Sequence, residues 1–251
     1  MANPVSVTII KLGGSLMDLP DLRTRLLTLA EFVSTRLTGG TLNRPAEVVR
    51  GDVSSELVEF ANRVLIIPGG GAAADEIRRL DSLAALAPEQ SHRAAIDAMS
   101  LNAGLLARTS GRPFLVVRSR VEAIRAWNSA MVPILCPSTF LIDEECGLEP
   151  DACHQLTSSR RLPASWDITS DSIGAWITLR WPASRLVLVK SVDEPGTDVS
   201  TWARCGAVDP AFETLSCGLM IQWLNLRDTG SEWQLRMPQE VASCSYDIAS
   251  Q

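Results

Sequence analysis

At 251 residues, with 46% hydrophobic and 21% charged side chains, the chain has the composition of a folded domain with a substantial core and not that of a disordered segment. A net charge of -6, with no stretch that concentrates Lys and Arg, excludes a dedicated nucleic-acid binder but leaves room for a local cationic site that takes a small anion. No apolar run reaches the roughly 18 residues of a membrane span, and no basic start leads into a long apolar stretch, so a cytoplasmic protein without membrane contact is expected.

In chain order, the apolar run Val5–Ile10 predicts a strand that feeds Lys11-Leu12-Gly13-Gly14-Ser15. A strand, a glycine turn and then a helix place bare backbone N–H groups where an anion can sit, with the Lys11 amine at the carboxyl end of the strand. The stretch fits neither the Walker A pattern nor the dinucleotide fingerprint. Asp18 and Pro20 signal a helix start, and Leu22, Leu26, Leu29, Val33 and Leu37 form its apolar stripe. Thr38–Asp52, rich in Gly and Pro, reads as an excursion, with a helical segment expected over Ser54–Ala61. Val64–Ile67 predicts a buried strand running into Pro68-Gly69-Gly70-Gly71, a second place for close backbone approach, and an Ala-rich helix follows over Ala72–Leu86.

Pro88 opens another helix, carrying His92, a candidate for contact with an anionic substrate or for proton transfer as well as for packing. Strand Phe114–Val117, helix Val121–Trp127 and strand Met131–Leu135 continue the α/β rhythm. Asp143–Ser159 reads as a polar loop or small hairpin between two halves. Its Cys146, Cys153 and His154 are poorly spaced for a metal and no fourth ligand is evident, so no metal centre is expected. The six cysteines form no C-x-x-C pair, and a chain of this size does not need disulfide support.

Asp167, Thr169 and Asp171 stand at spacing two just before the helical run that includes Ile173, Trp176, Ile177 and Leu179. Each can cap that helix, and Asp171 can instead hold lysine ammoniums by charge-assisted bonds. Strand Arg185–Val189 delivers Lys190, followed by Ser191-Val192-Asp193; a short helix over Ala211–Leu215 and a strand over Met220–Leu224 come next, with Trp233 and Met237 as candidate anchors in the tail. The basic inventory is lopsided: of 23 cationic residues, only Lys11 and Lys190 are lysines. Both fall at carboxyl ends of predicted strands, where parallel α/β sheets gather ligands. An ammonium on a flexible stem can follow a migrating phosphoryl group in a way that a guanidinium fork cannot.

The glycine turns at 11–15 and 68–71, D-x-T-x-D at 167–171 and V-K-S-V-D at 189–193, in this order, resemble the amino acid kinase superfamily. The stretches at 165–176, 206–210 (G-A-V-D-P) and 225–228 (N-L-R-D), with His92, are most similar to its branch of furanmethyl phosphate kinases of methanofuran synthesis and to relatives in tetrahydromethanopterin-linked one-carbon metabolism. The resemblance implies one domain over 1–251, an αβα sandwich with about eight mostly parallel strands, acceptor binding by 1–160 and ATP binding by 161–251. It further implies Lys11 on the transferred phosphoryl group, Lys190 on ATP phosphates and Asp171 orienting both. Gly13, Gly14, Ser15, Asp167, Thr169, Ser191 and Asp193 would serve the nucleotide; Gly69, Gly70, Gly71 and His92 would serve the acceptor. ATP and Mg2+, a small phosphorylated acceptor and a homodimer complete the expectation. Uridylate, isopentenyl phosphate or carboxylate kinase activity, and a non-catalytic nucleotide-binding regulator or storage protein, are the alternatives. The chain departs from the usual V-D-G after the late strand, where Glu194-Pro195-Gly196 follows Val192-Asp193, and it lacks the additional late lysine of some relatives.

Overall fold

Alternation of strand and helix along the chain becomes an open three-layer αβα sandwich in a computed structural model, which describes residues 7–36, 63–146, 162–181, 183, 185–228 and 239–240. The Thr38–Asp52 excursion, the Ser54–Ala61 helix, Cys153, His154, Trp233 and Met237 lie outside the described residues.

Strand β1 (Val7–Leu12) is followed by a 3-10 turn at Gly14–Leu16 and helix α1 (Leu22–Arg36). Then come β2 (Arg63–Pro68), α2 (Gly71–Ala84), α3 (Pro88–Ser110), β3 (Phe114–Val117), α4 (Arg120–Asn128), β4 (Val132–Leu135) and α5 (Pro137–Cys146). The second half holds α6 (Ser170–Arg180), β5 (Arg185–Lys190), α7 (Val199–Arg204), α8 (Phe212–Leu215), β6 (Met220–Asn225) and β7 (Gln239–Glu240). Seven strands are thus described, in the order β3-β4-β2-β1-β5-β6-β7. Neighbours pair in parallel except β6 with β7.

Two features of this sheet place the site. Strand order reverses between β1 and β5: the chain builds outward from β1 through β2 and later returns to add β5 on the other side. The crevice beyond the carboxyl ends at such a reversal is where open α/β sheets bind ligands. The two-residue period of a strand then sets which face each residue serves. Ile9 of β1 and Leu186 and Leu188 of β5 join the core packed against α6, whereas Ile10, Leu12, Val187 and Val189 join the core packed against α1. Lys11 and Lys190 continue the α6-side series, so the two cations emerge on one face of adjacent strands.

The α1 stripe read from the sequence packs with Leu22, Leu26, Leu29 and Val33 buried, while its Leu37 lies outside the described residues. Each such side chain contributes about 1.5–3 kcal/mol relative to exposure. The opposite layer comprises α4, α5, α6, α7 and α8, and the long α3 contributes Ile96 and Met99 to that core and Ala103 and Leu106 to the other. Strand β1 ends two residues beyond the apolar run, because Lys11 belongs to the strand and is buried at 3% exposure. Helix α5 is absent from the sequence expectation and takes in Asp143–Cys146, the start of the stretch read as a loop. Pro137 opens it, a position where the missing N–H costs nothing.

Candidate active site

Lys11 is the fifth residue of β1 and Lys190 the last of β5. Asp171 lies in the first turn of α6, which crosses the carboxyl ends of both strands, and its carboxylate stands between the two amines. Lys11 Nζ is 2.7 Å from Oδ1 as an ion pair, and Lys190 Nζ donates to Oδ2 at 2.7 Å. Lys190 also donates to the Ala207 carbonyl at 2.7 Å, and its Nζ lies 5.5 Å from the centre of the Trp223 ring. The Lys11 stem passes over Gly174, where a Cβ would approach Lys11 Cγ to 3.1 Å, so a side chain at 174 would crowd the lysine.

The electrostatics of this triad decide its chemistry. Burial alone would raise the Asp171 carboxyl, but the ammoniums of Lys11 and Lys190 outweigh it and hold the group below the ordinary carboxylate range. With one oxygen facing each amine, Asp171 is an anchor and not a proton acceptor. Burial, and then the like charge of Lys11, lower Lys190 to about 8, against the opposing pull of Asp171 and Asp209. Two cations share one anion, so the triad carries surplus positive charge in a place poor in water. Such a site favours a polyanion.

The glycine turns meet at this point. Gly13 N–H donates to the Val189 carbonyl and Gly69 N–H to the Leu12 carbonyl, both at 2.7 Å, which extends the sheet ladder into the turns. Gly14 and Gly71 cross backbone to backbone: a Cβ on Gly14 would lie 2.2 Å from Gly71 N, and Gly71 itself has φ +52°. Glycine is required at both positions by this crossing before any ligand is considered. Asn102 of α3 secures the second turn, donating to the Gly69 and Gly70 carbonyls at 2.7 and 2.9 Å.

Ser15 and Ser191 are brought together across β1 and β5, with a hydroxyl bond of 3.0 Å. Asp193 is exposed beyond them and accepts from Asn225 at 2.9 Å. Arg227 donates to the Ser15 carbonyl at 2.8 Å and pairs with Asp18 at 2.6 Å. Asp167 is exposed and accepts at its carbonyl from Ala211 N–H at 3.2 Å. Thr169 is the N-cap of α6, yet its side chain makes no cap bond; its hydroxyl donates instead to Asp209 at 2.8 Å.

On the other side of the α6 first turn opens a cavity of about 160 Å³. Gly70, Gly71 and His92 line it, as do Thr169, Ser170 and Ile173, so it abuts the lysine triad. Trp166 and Arg78 also line it, neither of which the sequence reading had given a site role. The Trp166 indole N–H donates to Asp81 at 2.6 Å, and the Arg78 guanidinium stands 4.6 Å over its ring. Arg78 pairs with Asp75 at 3.2 Å in a half-exposed contact, which holds it weakly and leaves its donors open to an anionic ligand. Among the described residues no three His, Cys, Asp or Glu side chains gather to hold a metal ion. Among the same residues no helix is long and apolar enough to cross a membrane.

No family model matches the chain. It is 25% identical over 155 residues to the [5-(aminomethyl)furan-3-yl]methyl phosphate kinase of Methanocaldococcus jannaschii, covering 62% of this chain and 64% of that protein, a little under two thirds of its length. In structure it is similar to the UMP kinase of Bacillus anthracis, with a TM-score of 0.50, 12% identity and coverage of 91% and 90%. It is also similar to the aspartate kinase of Synechocystis, with a TM-score of 0.53 and 11% identity, over 95% of this chain and 41% of that one. The fold is that of the amino acid kinases.

Proposed function

We propose that the protein is an ATP-dependent kinase that transfers the γ-phosphoryl group to a small phosphorylated acceptor, of the furanmethyl phosphate type used in methanofuran-like one-carbon cofactor synthesis. The observation that carries this is the pair of ammoniums from Lys11 and Lys190, both 2.7 Å from one buried carboxylate at the strand-order reversal. The relative from Methanocaldococcus jannaschii supports the acceptor class.

The chemistry follows from the charges. An ionised phosphate oxygen of the acceptor attacks the γ-phosphorus in line; the new O–P bond forms as the bond to the β,γ-bridging oxygen breaks, and ADP leaves. An ionised acceptor needs no general base, in keeping with an Asp171 whose oxygens face amines. Catalysis is then positioning and charge stabilisation. Lys11, nearer the acceptor cavity, meets the transferred group, and Lys190 meets the nucleotide phosphates. Gly13, Gly14, Ser15, Ser191 and Asp193 border the nucleotide side, with Asp167 and Thr169 at the α6 entrance. Gly69, Gly70, Gly71 and His92 border the acceptor, with Arg78 as a fork for its phosphate and Trp166 as an apolar wall. The division of labour is thus acceptor in 1–160 and ATP in 161–251. Mg2+ would enter with the polyphosphate and would supply charge neutralisation there, since it commonly keeps waters and needs few protein ligands. A homodimer belongs to the same proposal, and analytical ultracentrifugation tests it.

A screen of acceptors with ADP release as readout tests the substrate. A response to a furanmethyl phosphate above those to UMP, isopentenyl phosphate and amino-acid carboxylates is the expected result; a stronger response to one of the latter reassigns the acceptor.

A further inference from the structure

Helix α6 carries the central carboxylate of the triad, but its own N-cap residue does not cap it. A residue 40 positions away does so. Asp209, on the loop between α7 and α8 and 7% exposed, accepts at Oδ2 from Thr169 N–H at 3.0 Å, from the Thr169 hydroxyl at 2.8 Å and from Ser172 N–H at 3.0 Å. Its Oδ1 accepts from the Ser172 hydroxyl. Asp171 lies between those two residues, so one carboxylate grips the backbone on either side of it. The same loop reaches Lys190 through the Ala207 carbonyl at 2.7 Å and ties to Asp167 through Ala211 N–H at 3.2 Å.

Granted the phosphoryl transfer proposed above, on which this rests, we propose that Asp209 is a positioning residue that caps α6 from the nucleotide half and thereby sets Asp171 between Lys11 and Lys190. Four donors converging on one buried carboxylate fix both the rotation and the depth of the first helical turn, and a carboxylate at a helix N-terminus also opposes the positive end of the helix dipole. The charged groups facing the Lys190 amine are Asp171 from α6, Lys11 from β1 and Asp209 from the α7–α8 loop, with the Trp223 ring from β6. Of these, Asp209 favours the ammonium without pairing to it, and its loss lowers the titration of Lys190. A cap that served stability alone would alter neither the lysine nor the transfer step.

Because the chain has two lysines, NMR of protein labelled at lysine ε-carbon gives two side-chain signals, assigned with the Lys11→Arg variant. The decisive comparison is wild type, Asp209→Asn and Asp209→Ala, each followed by lysine titration, thermal unfolding and steady-state kinetics. In Asp209→Asn an amide oxygen can replace Oδ2 and keep its three bonds while the charge is lost, which gives a variant that folds. The Lys190 midpoint is expected near 8 in wild type and lower in Asp209→Asn. Turnover is expected to fall about 10-fold in Asp209→Asn and about 100-fold in Asp209→Ala, with acceptor KM within about twofold of wild type. An Asp209→Asn protein with the wild-type Lys190 midpoint and wild-type turnover per folded molecule overturns the assignment. A wild-type protein that transfers phosphate to no acceptor counts against the kinase activity instead, and the lysine titration still reads the role of Asp209.

Discussion

The lysine triad and the neighbouring cavity share the first turn of α6 but are built in opposite ways. In the triad the charged groups are held and largely shielded: Lys11 is 3% exposed and Asp171 5%, with the Lys190 side chain at 12%. In the cavity the charged groups stand at the rim, where the Arg78 and Asp75 side chains are 49% and 73% exposed. A buried, mutually paired set is already arranged for charge that develops during transfer, which is what electrostatic catalysis requires. A rim of loosely paired charges can instead rearrange around an incoming molecule. Under the proposed function the first region serves chemistry and the second selectivity, and substitutions should therefore separate turnover from acceptor affinity.

The largest effect is expected from Lys11→Ala. Asp171 keeps Lys190 as its partner, so the fold survives, while turnover measured by ADP release falls about 1000-fold or more through loss of charge on the transferred group. A Lys11→Ala protein that retains wild-type turnover would remove the triad from the chemistry. Next comes Arg78→Ala, in which acceptor KM rises about 10- to 100-fold, the weight of a charge-assisted bond, with kcat and the ATP KM nearly unchanged. A fall in kcat at constant acceptor KM would place Arg78 with the triad and collapse the distinction between the regions.

The pH profile sharpens the comparison further. On the proposed function Lys190 holds the nucleotide as an ammonium, and burial with the like charge of Lys11 lowers it to about 8. The kcat/KM for ATP is therefore level below that value and drops about tenfold per pH unit above it. Bound polyphosphate favours the ammonium, so kcat at saturating ATP persists to higher pH. A kcat/KM that rises through pH 8 would mean that a group must lose its proton for activity, against the role given to the Lys190 ammonium. The smallest effect belongs to Trp166→Phe, which keeps an aromatic wall but loses the indole bond to Asp81. Acceptor KM should rise about threefold, measured with ATP saturating, as for one neutral hydrogen bond.

The triad was legible in the sequence and the cavity only in part, for a physical reason. Lys11 and Lys190 stood out because a chain that otherwise uses arginine placed its two ammoniums at strand ends, and Asp171 because it fell just ahead of a helical run. The sheet and the α1 stripe followed from apolar periodicity. Trp166 and Asp81 are 85 positions apart, and Asn102 lies 33 from the Gly69 carbonyl that it holds. Asp209 sat in a stretch noted only for its likeness to relatives. Such roles arise when distant elements pack, and no local pattern encodes them. Gly14 carries a related lesson: its place in a glycine turn after β1 was readable, but the backbone crossing with Gly71 that demands glycine there was not.

Phosphorus NMR of the wild-type protein with MgATP and a furanmethyl phosphate reads the bond that is made. Loss of the ATP γ signal, with ADP and a new diphosphate appearing together and neither formed by Lys11→Ala, is the result that two lysines sharing Asp171 predict. ATP left intact with every phosphorylated acceptor, or consumed equally well by the Lys11→Ala protein, would contradict it.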